Sequence, residues 1–246
     1  MKIAKEVLMV LDHAEKNGSS LVLVGQLDRT MYTKVNEVLE LAGGKWNRKA
    51  KAHIFDGDAL EAIEQIILTG EITKPQDFGF FPSPKPVVDR LIELAEIEEG
   101  MIVLEPSAGT GNIVKALHEA GAKVDAIEIL EANIEALKNQ SLATLIGIGD
   151  FLETPVAAVY DRVVMNPPFA KQADIKHVLH ALNFVKQGCL LVSVMSASVS
   201  FRDNKLTTAF RDVVYQSGGG IYDLPEGSFK ESGTMVNTVI VKIYKK

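Results

Sequence analysis

The chain has 246 residues, of which 47% are hydrophobic and 24% charged, a mix that buries a core rather than staying disordered. Its 26 lysines and arginines stand against 32 acids, a formal charge of −6, so a uniformly basic coat is excluded and any contact with a polyanion must use a local patch. The lone cysteine, Cys189, excludes a disulfide framework and a cysteine zinc site, and with no apolar run of about 18 residues and no secretion-signal core at the N-terminus we expect a cytoplasmic protein that spans no membrane.

In chain order, residues 3–16 read as a helix and Asn17-Gly18 as a turn. Residues 21–25 read as a short buried strand, and Val35, Val38, Leu39 and Ala42 set a helix over 31–42 that Gly43-Gly44 stops. Residues 46–55 read as a strand pair, and Asp58 is placed to cap a helix over ALEAIEQIILTG. A proline-rich stretch, 74–86, then blocks any continuous helix or central strand. It divides the chain into a small α+β domain, residues 1–75, and a larger one, 76–246.

Beyond it, Ser83 precedes a helix whose Val88, Leu91, Ile92 and Ala95 share one face. Strands at 101–107, 123–129, 144–150, 161–168 and 189–196 alternate with helices at 112–121, 131–139, 173–186 and 205–216, and strands at 221–227 and 236–244 follow. That alternation predicts an α/β fold, a Rossmann-like sheet of seven mostly parallel strands with helices on both faces. The last two strands, with no helix between them, should form an antiparallel hairpin at the edge.

Ligands of such sheets lie beyond the carboxyl ends of the strands. After the first strand stands EPSAGTGN, 105–112, where Gly109 and Gly111 allow a tight turn into a helix N-terminus. No Gly-Lys-Ser/Thr follows, so it is not a phosphate loop. Val114 stands where the third glycine of a dinucleotide fingerprint belongs, which counts against a nicotinamide dehydrogenase. The second strand ends on Glu128, an acid among apolar neighbours that can accept from ribose hydroxyls. The third ends on Asp150-Phe151: the acid can accept from an adenine amine or simply cap a turn, and the ring can stack on the base. The fourth ends on Asn166-Pro167-Pro168-Phe169. Two prolines stiffen that segment, and an Asn Oδ1 with a proline carbonyl can accept both hydrogens of a planar amine. Phe169 can stack on the base that carries the amine. Lys171, Gln172 and Asp174 could close over the substrate, or Asp174 could cap the next helix.

The segments FPSP, EPSAGTG, IEI, GDF and NPPF, in this order at these strand ends, resemble the class I S-adenosylmethionine-dependent methyltransferases over residues 78–246. More narrowly they resemble N6-adenine-specific DNA methyltransferases, and DLPEGSFKESGT with NTVIV is similar to the terminal hairpin of a phage and plasmid type. The resemblance implies S-adenosylmethionine as cofactor and no metal. It implies that Phe81 and Pro82 pack on the methionine end, and that Glu105, Ser107, Gly109 and Gly111 line the amino-acid moiety. Glu128 would hold the ribose, Asp150 and Phe151 the adenine. Asn166, Pro167, Pro168 and Phe169 would form the catalytic hook for the target amine. The implied partner is nucleic acid, DNA before RNA.

No segment after the last strand is long enough for a target-recognition domain. Sequence reading would fall to the N-terminal domain, to the loop 226–235, or to a specificity or restriction partner protein. The N-terminal domain offers Lys45, Arg48, Lys49 and Lys51 around the only tryptophan, Trp46, a set suited to phosphates and a stacked base. The competing expectation makes Trp46 a core anchor of a solvated hairpin. The same amine hook would also serve an RNA base or a protein glutamine amide. A non-catalytic nucleic-acid-binding module with a methyltransferase fold is the alternative of another class. The histidines show no metal-ligand spacing.

Overall fold

A computed structural model of the protein describes residues 3–70 and 81–246. Most of the proline-rich stretch 74–86 therefore lies outside the described residues, while Phe81 to Pro86 lie within them. The described chain forms two compact units. One contains the residues up to 70 together with Ser198–Thr208, and the other contains the residues from 81 to Ala197 together with Ala209–Lys246.

The first unit runs α1 (Lys5–His13), β1 (Glu15–Asn17), β2 (Ser20–Val22), α2 (Arg29–Leu41), β3 (Lys45–Asn47), β4 (Ala52–Ile54) and α3 (Ala59–Thr69). Its antiparallel sheet has the order β1-β2-β4-β3. The helix expected over 3–16 stops at His13. Its buried face ends with Leu11, and Glu15–Asn17 pairs with Ser20–Val22 around Gly18 at φ +56°. That left-handed turn is available to glycine at little steric cost. The strand expected at 21–25 shortens to Ser20–Val22. Helix α2 begins two residues earlier than its apolar spacing indicates, because Asp28 caps it by accepting from the Met31 N–H at 2.8 Å. Asp58 caps α3 in the same way, through the Glu61 N–H at 3.1 Å. The core gathers Leu8, Leu11, Leu21, Val35, Leu39 and Ile63. Trp46 is not part of it: 48% of the residue is exposed.

Arg202, from the segment Ser198–Thr208, is among the most buried residues of this unit at 2% exposure. Its guanidinium meets Glu64 through two bonds, of 2.6 and 3.2 Å, and Nε lies 2.8 Å from Asp12 Oδ1. Burial pushes the Asp12 carboxyl up, against the lowering pull of Arg202.

The second unit runs α4 (Lys85–Ala95), β5 (Ile102–Glu105), α5 (Asn112–Glu119), β6 (Lys123–Glu128), α6 (Glu131–Gln140), β7 (Leu145–Ile148), β8 (Tyr160–Met165), α7 (Ala173–Ala181), β9 (Val185–Ser196), α8 (Lys205–Gln216, whose last residues belong here), β10 (Gly220–Asp223) and β11 (Thr238–Tyr244). The seven strands lie in the order β10-β11-β9-β8-β5-β6-β7. Strands β7, β6, β5, β8 and β9 are parallel, and β11 is antiparallel to both β9 and β10. The terminal hairpin therefore closes one edge of the sheet. Helix α7 ends five residues before the predicted 186 and β9 starts four residues before the predicted 189. Asn183 ends the helix by donating to the carbonyls of Leu179 and His180 at 3.2 and 3.1 Å, which satisfies acceptors that a last turn leaves open. Cys189, in an apolar strand whose run suggests a core position, is half-buried. Among the described residues no helix is long and apolar enough to cross a membrane.

Candidate active site

Parallel pairing brings the carboxyl ends of β5, β6, β7 and β8 to one rim of the sheet, and the sequence-predicted residues meet there. Strand β5 ends on Glu105 and turns through Pro106–Gly111 into α5. Gly111 has φ +88°, and a Cβ on it would stand 2.7 Å from the Gln140 side chain and 2.9 Å from that of Leu137. The backbone therefore favours glycine, whereas those side-chain ends could move aside for a Cβ. The loop is latched by Glu128 at the end of β6. One carboxylate oxygen accepts from the Gly109 N–H at 2.6 Å, and the other accepts from the N–H groups of Ile129 and Leu130 at 2.9 and 2.8 Å. Those bonds fill about three of the roughly four acceptor positions of a carboxylate.

Asn166, at the end of β8, has a fixed amide. Its Nδ2 donates to the Ser83 hydroxyl at 3.0 Å and to the Phe81 carbonyl at 3.3 Å. The carbonyl can only accept, so it settles which end of the amide faces it. Oδ1 is left buried, and among the described residues nothing donates to it. Ser83, expected just ahead of a helix, makes no cap: the helix begins behind Pro84 without a side-chain bond. The Phe81–Ser83 segment is tied down twice more, by Asn112 donating to the Ser83 carbonyl at 2.9 Å and by Ser232 donating to the Pro82 carbonyl at 2.6 Å. Ser232 belongs to the loop 226–235, where Phe229 is buried at 1% exposure. That loop is packed against the hook's own support.

Glu105 is 1% exposed. Burial pushes its carboxyl well above the usual carboxylate range, the charge of Glu128 pushes the same way, and a hydrogen bond from the Val114 N–H opposes both. Its Oε2 is buried, and among the described residues it has no partner. It borders a small recess with Pro82, Phe81, Ser107 and Asn166.

The last three of these also line a larger cavity of about 350 Å³, together with Glu128, Asp150, Phe151, Pro167, Pro168 and Phe169. That is the size of a small-molecule site. Asp150 caps the turn Phe151–Glu153, its Oδ1 accepting from the Leu152 N–H at 2.9 Å, and the residue also borders the cavity. Phe151 is 3% exposed, with its ring against His180 at 4.8 Å and Phe184 at 5.2 Å. It is therefore a wall rather than a free stacking platform. Asp174 does not belong to a lid. It is buried, and its carboxylate accepts from the N–H groups of Ile175 and Ser196, each at 3.0 Å. Lys171 and Gln172, directly after the hook, hold left-handed backbone at φ +53° and +58°, a conformation that non-glycine residues adopt at a cost.

Sequence reasoning missed His177. It lines the cavity from α7, its ring center 6.1 Å from that of Phe151. Nδ1 is 2.8 Å from the Ala173 carbonyl, so Nδ1–H is the donor and Nε2 is the acceptor of the neutral ring. Burial pushes its pKa down, which favours that neutral form. Only the rotation of α7 against the sheet reveals it. Among the described residues no cluster of His, Cys, Asp or Glu could hold a metal ion.

No family model matches the chain. Solved structures share its fold. A dimethyladenosine transferase from Plasmodium falciparum superimposes with a TM-score of 0.54 at 20% identity, over 68% of this chain and 64% of that one. A Listeria monocytogenes protein assigned to the class I S-adenosylmethionine-dependent methyltransferases gives 0.54 at 15% identity, over 76% and 68%. The 23S rRNA methyltransferase ErmE gives 0.51 at 18% identity, over 68% and 70%. The chain thus spans less than two thirds of the length of the Plasmodium protein. The likeness is one of fold: the mostly parallel seven-stranded sheet with its antiparallel terminal hairpin is the Rossmann-like sheet of class I methyltransferases.

Proposed function

We propose that the chain transfers a methyl group from S-adenosylmethionine to the N6 amine of adenine, with DNA as the first substrate. The observation that carries this reading is Asn166, whose amide is held by Phe81 and Ser83 so that a buried oxygen without a described partner is left at the cavity wall. Such an oxygen suits an amine hydrogen, and Phe169 beside it suits the face of a base.

The residues present fit the cofactor. Glu105 Oε2, buried without a described partner, suits an ammonium group. The glycine loop admits close approach, Glu128 keeps one acceptor position for a ribose hydroxyl, and Asp150 with the His177 Nε2 offers acceptors for an adenine amine. When bound, S-adenosylmethionine supplies a methyl group on a positively charged sulfur. The chain's task is then alignment more than proton transfer. In a duplex the target adenine must leave the stack to reach Asn166. Target choice would fall to the first unit, to the loop 226–235, or to a specificity or restriction partner.

RNA is the second reading, favoured by the name of one protein that shares the fold, a 23S rRNA methyltransferase. Labelled-methyl transfer to DNA, RNA and protein pools in parallel, followed by nucleoside analysis, tests both. The expected product is N6-methyladenine in DNA. Label confined to RNA adenine would move the reading to RNA, and label on glutamine would replace both. Cofactor binding without transfer to any pool would leave a non-catalytic module.

A further inference from the structure

The hairpin β3–β4 of the first unit carries a surface that the active site does not use. Lys45, Trp46, Arg48, Lys49 and Lys51 are all exposed. Among the described residues none of the four cationic side chains has an ion pair or a hydrogen bond, and residues 41–55 contain no acid. The tip is preformed. Asn47 Oδ1 accepts from the N–H groups of Lys49 and Ala50 at 3.0 and 3.1 Å, and Lys51 takes a left-handed backbone at φ +51°.

Trp46 is the telling residue. It pairs across the strands with His53, and the two ring centers are 5.1 Å apart. His53 is fully buried, and its Nε2 is 2.9 Å from Asn36 Oδ1, the acceptor, while Asn36 donates in turn to Glu40 at 2.8 Å. Burial pushes the His53 pKa down, so the ring is a neutral backing. The indole is therefore supported from inside while 48% of the residue faces water. A large ring held in place and left wet has already lost the freedom that stacking would otherwise take from it.

We infer that this hairpin is a binding site for single-stranded nucleic acid, with Trp46 stacking on an unpaired base and Lys45, Arg48, Lys49 and Lys51 holding the neighbouring phosphates. The hairpin stands on its own geometry. The choice of nucleic acid among polyanions rests on the proposed function. A bilayer surface suits it less, because the tip from Lys45 to Lys51 offers no large aliphatic side chain to bury. A paired base suits it less, because its faces are already stacked.

Trp46 is the only tryptophan of the chain, so emission excited at the red edge, where the five tyrosines do not absorb, reports this site and no other. The experiment titrates the full chain with a mixed-sequence single-stranded oligonucleotide, with the same backbone lacking bases, with a duplex, and with anionic phospholipid vesicles. The single strand should quench Trp46. Four phosphate contacts at about −0.7 each give a slope near −2.8 in log K against log salt, or roughly 50-fold weaker binding from about 50 to about 200 mM salt. Replacing the four cations by alanine should abolish most of that salt dependence. Circular dichroism melting shows that the variant is folded, and the wild-type titration stands without it. Equal quenching by the base-free backbone would remove the stacking role. No quenching by any oligonucleotide, an unchanged salt slope in the variant, or a blue shift with vesicles alone would overturn the inference. Methyl-transfer assays are independent of this readout, so failure of the catalytic reading and failure of the hairpin are told apart.

Discussion

Replacing Glu128 by glutamine tests the latch and the cofactor assignment together. The carboxylate accepts three backbone N–H groups, with Gly109 on one oxygen and Ile129 and Leu130 on the other. An amide has one oxygen. If it keeps Ile129 and Leu130, its NH₂ faces the Gly109 N–H, donor against donor. One bond to a charged acceptor, worth about 1.5–3 kcal/mol, is then lost. The remaining two fall from charge-assisted to neutral strength, about half. Where Glu105 is ionised, relief of its repulsion by Glu128 gives some of this back. A net loss of about 3 kcal/mol lowers the melting temperature by roughly 6–12 °C at the 2–4 °C per kcal/mol of a chain this size. Loss of the ribose contact adds about 1–3 kcal/mol to cofactor binding, which is roughly 5- to 150-fold in Kd. Thermal melting of the apoprotein and calorimetric titration with S-adenosylhomocysteine measure the two effects separately. A lower melting temperature with unchanged affinity would leave Glu128 a latch only. No change in either would refute the reasoning.

Asn166→Ala should leave cofactor affinity near normal and slow methyl transfer by a factor on the order of 10² or more; single-turnover rates at the wild-type level would remove Asn166 from the reaction. Glu105→Gln keeps an acceptor for the Val114 N–H but does not titrate. Because burial raises the folded pKa above the ordinary 4.5, the wild-type carboxyl's contribution is full below that value and is lost as pH rises through the folded pKa. The variant's advantage in melting temperature should therefore be absent near pH 4, grow as pH rises, and come with weaker cofactor binding; a pH-independent difference would contradict the assignment. Arg202→Ala leaves Glu64 and Asp12 buried without their cation, so it should destabilise the first unit by about 3–5 kcal/mol, read by denaturant unfolding. A loss under about 1 kcal/mol would mean that the cluster is solvated.

Much of this protein is written locally. The alternation of apolar runs with amphipathic segments is enough for a parallel sheet, and parallel strands necessarily bring their carboxyl ends to one rim. That is why Glu105, Glu128, Asp150 and Asn166, spread over the sequence, could be assigned to one site before any coordinates. The caps at Asp58 and the turns at Gly18 and Gly111 are local as well, since a short side chain or a missing Cβ acts within a few residues. What tertiary structure decided are the pairings between distant residues. Ser83 supports Asn166 instead of capping its own helix, and Ser232 holds Pro82 from 150 residues away. His177 joins the cavity only through the rotation of α7, and Asp174 turns from a lid candidate into a buried anchor for Ser196. Arg202, read as part of the larger domain, is buried between Asp12 and Glu64 of the first unit. Trp46, for which a core position is the stronger expectation, lies half in water instead, because the strand that carries it is the edge of its sheet. Periodicity records which face of an element is apolar. It carries no trace of which residue, a hundred positions away, will meet that face, because such contacts exist only once the chain has closed on itself.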